Sequence, residues 1–449
     1  MISFVTLLLG LVSGPRPIEV AAAGEVAEIV LLLDGAEVAR LQGGARRTRV
    51  DFGPLAPHRL EAVARDARGR ELGRATQTIN VAQGAAAAEW AVEASRDRLP
   101  RVVRLVHETL WPGGVESIEA NLDGARLTVG TDGRVELPPY DPGQVHLLTG
   151  SVRYRSGAEA TAELAFGGRF ADSVQAELTA VPLAGRHGRR SADELSGVLA
   201  GSGRALAVAA VDRGPADVII VRDAFAHRHL AELALRVSHR YRGRHQLGRP
   251  AAPLPLRNGT RLRFIWPVAL AAAPGRTVDS RVFAAERDGP ADRAGLFVLL
   301  RDAERPVLPQ PTADAVAVAA DVVAATGRPR AVVLVLDPST PDVSEHDPCE
   351  VRAFLARLRV PLLVWTTGSA EEVDPAWGEV AEIESWLDLR GAFIRLRELL
   401  RSQTIAWVEG SWLPDAIEPA ASGPRSVVLA GAEPGLAPEC AGLAQQVER

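Results

Sequence analysis

The chain has 449 residues, a hydrophobic share of 47%, a charged share of 24% and a formal net charge of −5. These are the proportions of globular domains, the length leaves room for roughly two to four of them, and the charge gives no electrostatic footprint for nucleic acid. All 51 basic side chains are arginine, which excludes lysine Schiff-base chemistry and a phosphate-loop lysine, and two cysteines, Cys349 and Cys440, are too few for a disulfide framework. One disulfide or two free thiols both satisfy that pair.

The run Phe4–Val12 (FVTLLLGLV) is apolar but too short to span a bilayer. It reads as the apolar part of a signal peptide, with Ala21-Ala22-Ala23 as the cleavage site, or as a first strand that turns at Ser13-Gly14-Pro15 into a second at Ile18–Ala22. No basic segment precedes the run, as a signal peptide would require. The strand reading is the expectation, because cleavage after Ala23 would delete two strands from the module that follows.

Residues 1–82 form short β-prone segments separated by turns. Asp34-Gly35 joins two apolar runs, a strong hairpin signal. His58–Arg65 alternates as a half-buried strand does, with Leu60, Ala62 and Ala64 on one face and Arg59, Glu61 and Arg65 on the other. The pattern then recurs. Leu122-Asp123-Gly124-Ala125 repeats Leu33-Asp34-Gly35-Ala36, and His146 with Gly157 and Glu159 repeats the spacing of His58 with Gly69 and Glu71. Such self-similarity predicts two copies of one β-sandwich, residues 1–82 and 89–183, joined by an Ala-rich linker at Gln83–Ala88. The two histidines fall in different modules and read as turn or packing residues rather than metal ligands.

Residues 184–204 are polar and rich in Gly and Arg, a linker by composition. From 205 to 417 strand and helix patterns alternate, as in a parallel α/β sheet. The expected strands are Ala205–Val211, Val218–Val221, Leu262–Trp266, Leu296–Leu300, Ala331–Leu336, Leu362–Trp365 and Ile405–Val408. The expected helices are Ala226–Arg240, Thr312–Thr326, Cys349–Arg359 and Leu389–Gln403. The second of these has Val316, Ala319, Ala320 and Val323 at helical spacing, with Thr312 as its N-cap. Residues 418–449 lose all pattern and read as a flexible tail.

The stretch HRLEAVARDARGRE after a tight Asp-Gly turn resembles bacterial immunoglobulin-like domains. The C-terminal part resembles von Willebrand factor type A domains in its order of elements, and the whole layout resembles bacterial VWFA-related proteins. The resemblance implies a multidomain β plus α/β chain, with two immunoglobulin-like β-sandwiches followed by a Rossmann-like α/β domain of the von Willebrand A type. It also implies a cation site of the MIDAS kind, where an Asp-x-Ser-x-Ser strand end, a Thr and a second Asp hold Mg²⁺ or Mn²⁺ through oxygen ligands. In this chain Asp223 after ADVIIVR matches the first Asp, Thr312 the Thr and Asp337 after AVVLVL the last Asp, while Phe225 and His227 stand where the serines belong. Asp337-Pro338-Ser339 mimics the first motif, but too little chain follows it for a whole domain.

A site lacking both serines is expected to be vestigial, so no cofactor is expected. The expected function is a non-enzymatic protein-interaction role exercised through the face bearing Asp223, Thr312 and Asp337, in an exported protein with another protein as partner and no transmembrane segment. The alternative is a cation-dependent adhesion module in which Asp223 and Asp337 recruit a ligand from the Asp342–Asp347 loop. An enzyme is the third class, but no Gly-x-Ser-x-Gly elbow or paired-carboxylate signature supports it. The acid-rich loop Asp337–Asp347 reads as a solvated connection. His227, His229, His239 and His245 lie among arginines and read as a basic helix face, and Trp377 reads as exposed.

Overall fold

The computed structural model describes residues 2–22, 26–42, 44–81, 86–92, 101–110, 114–141, 143–144, 146–155, 158–166, 178–185, 191–223, 226, 256, 259–270, 282–290, 310–420 and 428–431. The chain divides into two compact units, residues 1–175 with 271–282, and residues 176–270 with 283–449.

The first unit holds two antiparallel sandwiches. In the first, β1 (Ile2–Phe4), β2 (Pro15–Ala22) and β5 (Arg47–Asp51) form one sheet, in the order β1-β2-β5. The other sheet contains β3 (Glu28–Leu33), β4 (Ala36–Gln42), β6 (His58–Arg65) and β7 (Glu71–Ile79), in the order β4-β3-β6-β7. The second sandwich comprises β8 (Ala86–Val92), β9 (Val102–Thr109), β10 (Val115–Leu122), β11 (Ala125–Leu127), β12 (Arg134–Glu136), β13 (His146–Tyr154) and β14 (Glu159–Phe166). Its sheets run β8-β9-β12 and β11-β10-β13-β14. Each strand of the second module takes the place of the strand seven earlier, so the repeat in sequence is a repeat in topology. The order is that of an immunoglobulin-like sandwich.

Alternation builds each core. Leu60, Ala62 and Ala64 of β6 are buried with Ile29 and Leu31 of β3, as the period of two requires. The apolar N-terminal run joins the same cluster through Phe4, Leu8 and Val12. Only Ile2–Phe4 of it is strand. Asn80 fixes the rest, its side chain accepting from the Val12 N–H at 2.8 Å and donating to the Val12 carbonyl at 2.7 Å.

The second unit is built around a six-stranded sheet. Its strands are β19 (Asp217–Arg222), β20 (Arg261–Leu270), β21 (Val282–Pro290), β22 (Arg330–Leu336), β23 (Leu362–Thr366) and β24 (Val380–Glu382). They run in the order β21-β20-β19-β22-β23-β24, and β20, β19, β22, β23 and β24 pair in parallel. Every residue of β19 and β22 is buried, because helices cover both faces, the condition a parallel sheet needs. Helix α2 (Thr312–Ala324) packs on β19, β20 and β22, and α3 (Pro348–Arg357) packs beside it. On the other face Val218, Ile220, Val333 and Val335 share a core with Leu389, Phe393 and Leu396 of α4 (Trp386–Ser402).

Several expectations fail around this sheet. Residues 184–204 are not a plain linker: α1 (Ala192–Leu195) carries a capping box, and β16 (Leu199–Gly201) pairs with both β17 (Arg204–Ala205) and β26 (Ile417–Pro419). β15 (Leu178–Ala184), expected in the second sandwich, pairs with β25 (Thr404–Glu409), as does β18 (Val208–Asp212), and both pairings are antiparallel. The segment 205–211 is thus divided between β17 and β18, in two different sheets, 405–408 pairs with β18, and none of them joins the parallel sheet. Part of the supposed tail is also ordered, since β27 (Val428–Leu429) pairs with β15. Ala86–Ala88, read as linker, begin β8. Leu296–Leu300 and, apart from Ala226, the helix expected at Ala226–Arg240 lie outside the described residues.

Candidate functional site

Counted in chain order, the strands of this sheet lie 3-2-1-4-5-6, so the order reverses between β19 and β22. Ligands in such sheets bind beyond the carboxyl ends of the strands at that reversal. Here Asp223 follows β19 and Asp337 follows β22. Both line a cleft of about 480 Å³, and Thr312, the first residue of α2, lines it too. The three residues selected from the sequence thus meet at one place.

The chemistry at Asp223 is that of an acceptor already supplied with donors. The residue is 1% exposed. Its Oδ1 accepts from the Gln310 side-chain amide at 3.2 Å, and its Oδ2 accepts from the Asp337 backbone N–H at 3.3 Å. Its own N–H donates to the Val335 carbonyl at 2.8 Å, continuing the parallel ladder. Beneath it, the Arg222 guanidinium stacks 4.0 Å from the centroid of the Trp266 ring, a cation–π contact that fixes the end of the strand. Phe225 and His227, and the remaining histidines of that arginine-rich segment, lie outside the described residues.

The acid-rich loop from Asp337 to Asp347 is tied down by hydrogen bonds rather than solvated along its length. Asp342 accepts the N–H groups of Thr312 at 3.0 Å and Ala313 at 3.1 Å, so it caps α2 from a distant loop. Thr312 is therefore not the N-cap; Pro311 is, and it offers no side-chain bond. Asp347 caps α3 by accepting from the Glu350 N–H at 2.9 Å. Asp337 accepts from the Ser339 N–H at 2.9 Å in a tight turn. Carboxylates are favoured at helix N-termini, where free N–H groups and the helix dipole both attract them.

Under the loop lies a pairing that sequence reading missed. Asp314, fully buried, receives the N–H groups of Glu345 at 3.0 Å and His346 at 3.2 Å, and the His346 Nδ1 at 2.9 Å. Burial disfavours the charged imidazole, but the Asp314 bond and the charges of Glu350 and Glu345 outweigh it, so the His346 pKa is raised. His346 lines the cleft with Asp223, Asp337, Asp342, Glu345, Asp347 and Asp374, and no arginine is among the described lining residues. Trp377, expected to be exposed, is 6% exposed and forms part of the wall.

The repeated histidines have a structural role. His58 Nδ1 meets Asp34 Oδ2 at 2.7 Å, and His146 Nδ1 meets Asp123 Oδ2 at 2.7 Å. In each module the other carboxylate oxygen accepts the next backbone N–H, of Arg59 and Leu147 respectively, at 2.8 Å. The turn Asp sits at φ 52° or 51° with Gly following at 86° or 83°, as a tight hairpin requires. Cys349, at the start of α3, is disulfide-bonded, and Cys440 lies outside the described residues.

No family model matches the chain, and no curated protein matches it. Solved structures similar to parts of it include fibronectin(III)-like modules of Clostridium thermocellum CbhA, at 13% identity, covering 21% of this chain and all of that one, with a TM-score of 0.16. A second is a putative membrane-anchored protein from Corynebacterium diphtheriae, at 9% identity over 45% of this chain and 37% of that one, with a TM-score of 0.16. A third is the BSP domain of a biofilm-associated protein, at 10% identity over 35% of this chain and 28% of that one, with a TM-score of 0.19. Among the described residues no helix is long and apolar enough to cross a membrane.

Proposed function

We propose that the chain is a non-enzymatic, extracytoplasmic interaction protein, in which two immunoglobulin-like sandwiches carry a degenerate von Willebrand A-like domain that binds another protein without a divalent cation. The observation that carries the reading is the donor pair on Asp223. A hard cation needs several open oxygen ligands, whereas both oxygens of Asp223 already accept N–H groups, from Gln310 and Asp337. Phe225 and His227 bring no hydroxyl. The residues present do not fit Mg²⁺ or Mn²⁺, and the Gln310 amide takes the part that a cation plays elsewhere.

The strand-order reversal beside Asp223 supports the A-like assignment. Six carboxylates and one imidazole along the cleft suit a partner that brings positive charge. The disulfide at Cys349 supports an oxidising, extracytoplasmic compartment. The test is the melting temperature with and without millimolar Mg²⁺ or Mn²⁺. No shift is expected, whereas an increase that Asp223→Ala abolishes would establish the cation-dependent alternative.

A further inference from the structure

At the opposite end of the parallel sheet, where β19, β20 and β22 begin, a second cavity of about 380 Å³ opens. Ala216, Thr260 and Pro329 stand immediately before those strands and line it. Arg397 and Arg401 enter from the last turns of α4, one turn apart and so on one helix face. Arg213 enters from the segment before β19. Three guanidinium-bearing side chains thus line one cavity, and no carboxylate does so among the described lining residues.

The local helix accounts for only part of this arrangement. A cation in the last turn complements the helix dipole, which explains Arg401 but not Arg213, which comes from another segment. The Arg397 guanidinium lies 3.8 Å from the Glu398 carboxylate, and its Nε has no hydrogen-bond partner among the described residues. Thr260 is 1% exposed, and its hydroxyl likewise has no partner among the described residues. A buried hydroxyl left unpaired is costly and calls for an explanation. Gln403, itself part of the lining, binds the backbone of Arg330, whose buried guanidinium adds a further positive charge at this end of the sheet.

We propose that this cavity binds a phosphate- or sulfate-type oxyanion, gripped by Arg213, Arg397 and Arg401 with the Thr260 hydroxyl as a further donor. Guanidinium groups suit such an anion because their N–H fork matches its oxygens two at a time. The space exceeds a bare ion, and Leu256, Leu400 and Pro329 give it an apolar side, so the anion can be carried on a small organic body. The site lies at the other end of the sheet from the acid-lined cleft and does not depend on what that cleft binds.

Calorimetric titration of the full chain at low salt tests this with two probes, inorganic phosphate and phenyl phosphate. Saturable one-site binding is expected, weakened about tenfold in Arg401→Gln, weakened less in Arg401→Lys, which keeps the charge but loses the fork, and unchanged in Arg390→Gln, an exposed arginine on the same helix. Arg401 is itself exposed, so its replacement leaves folding intact. Saturation by phosphate identifies a free anion, and tighter binding of phenyl phosphate identifies an ester; either supports the site. No saturable heat from either probe, or equal affinity in wild type and Arg401→Gln, overturns it.

Discussion

Arg330 shows how single side chains hold the second unit together. It is 1% exposed, and its two terminal nitrogens donate to the Ala324 carbonyl at 2.9 Å and the Leu358 carbonyl at 3.1 Å. These carbonyls lie at the C-terminal ends of α2 and α3, where backbone acceptors lack helical partners. Burial lowers the guanidinium pKa to about 10, so the group is still charged at neutral pH. Arg330→Ala is expected to cost about 3 kcal/mol in urea denaturation, from two lost charge-assisted bonds and a void. A loss under about 1 kcal/mol would show that the two helices do not depend on it. At this scale the sequence was partly legible. Asp223 and Asp337 stood out because each ends a β-branched run, but Gln310 did not, because its partner lies 87 residues away and nothing local marks the pairing.

Among elements, the connection from β22 to α3 organises the cleft. Its carboxylates read as solvent-facing because the groups that bind them come from other parts of the chain: Asp342 caps α2 across 30 residues of sequence. The same distance hid the bond between Asp314 and His346. The sign of its pH dependence follows from the raised pKa of His346. A histidine whose folded pKa lies above its unfolded value contributes stability that is fully present below about pH 6.5 and is lost as pH rises through the folded value. Asp314→Asn is therefore expected to lower the His346 pKa in an NMR titration and to destabilise the chain more at pH 6 than at pH 8. An unchanged imidazole titration would mean that Asp314 does not set it. Helices α2, α3 and α4 were legible within a few residues because their apolar spacing and flanking residues are local signals.

For the whole molecule, the second unit is closed by strands from its two ends. β15 and β18 near its start both bond to β25 near its finish, and Gln403, just before β25, holds Arg330 of the parallel sheet. A chain ending at Gln403 is expected to lose the fold of the second unit. The sandwiches should persist, since neither of their cores draws on residues beyond 403. NMR would show the His146 signals unchanged and dispersion from the second unit gone; a truncated chain with the parallel sheet intact would contradict this. The duplication of the sandwiches was readable, because Asp34 with His58 and Asp123 with His146 recur in register and bond within each module. The closing sheet was not. LTAVPLA alternates like any sandwich strand, and its partner, Thr404–Glu409, lies more than two hundred residues away.

In the proposed function Asp223 is satisfied by the protein itself, through Gln310 and Asp337, and the acid-lined cleft works without a metal. A crystal of the full chain soaked in Mn²⁺ and measured for anomalous scattering tests this directly. No anomalous peak is expected beside Asp223, and the Gln310 amide should still be bonded to it. A peak bridging Asp223 and Asp337, with Gln310 displaced, would contradict it.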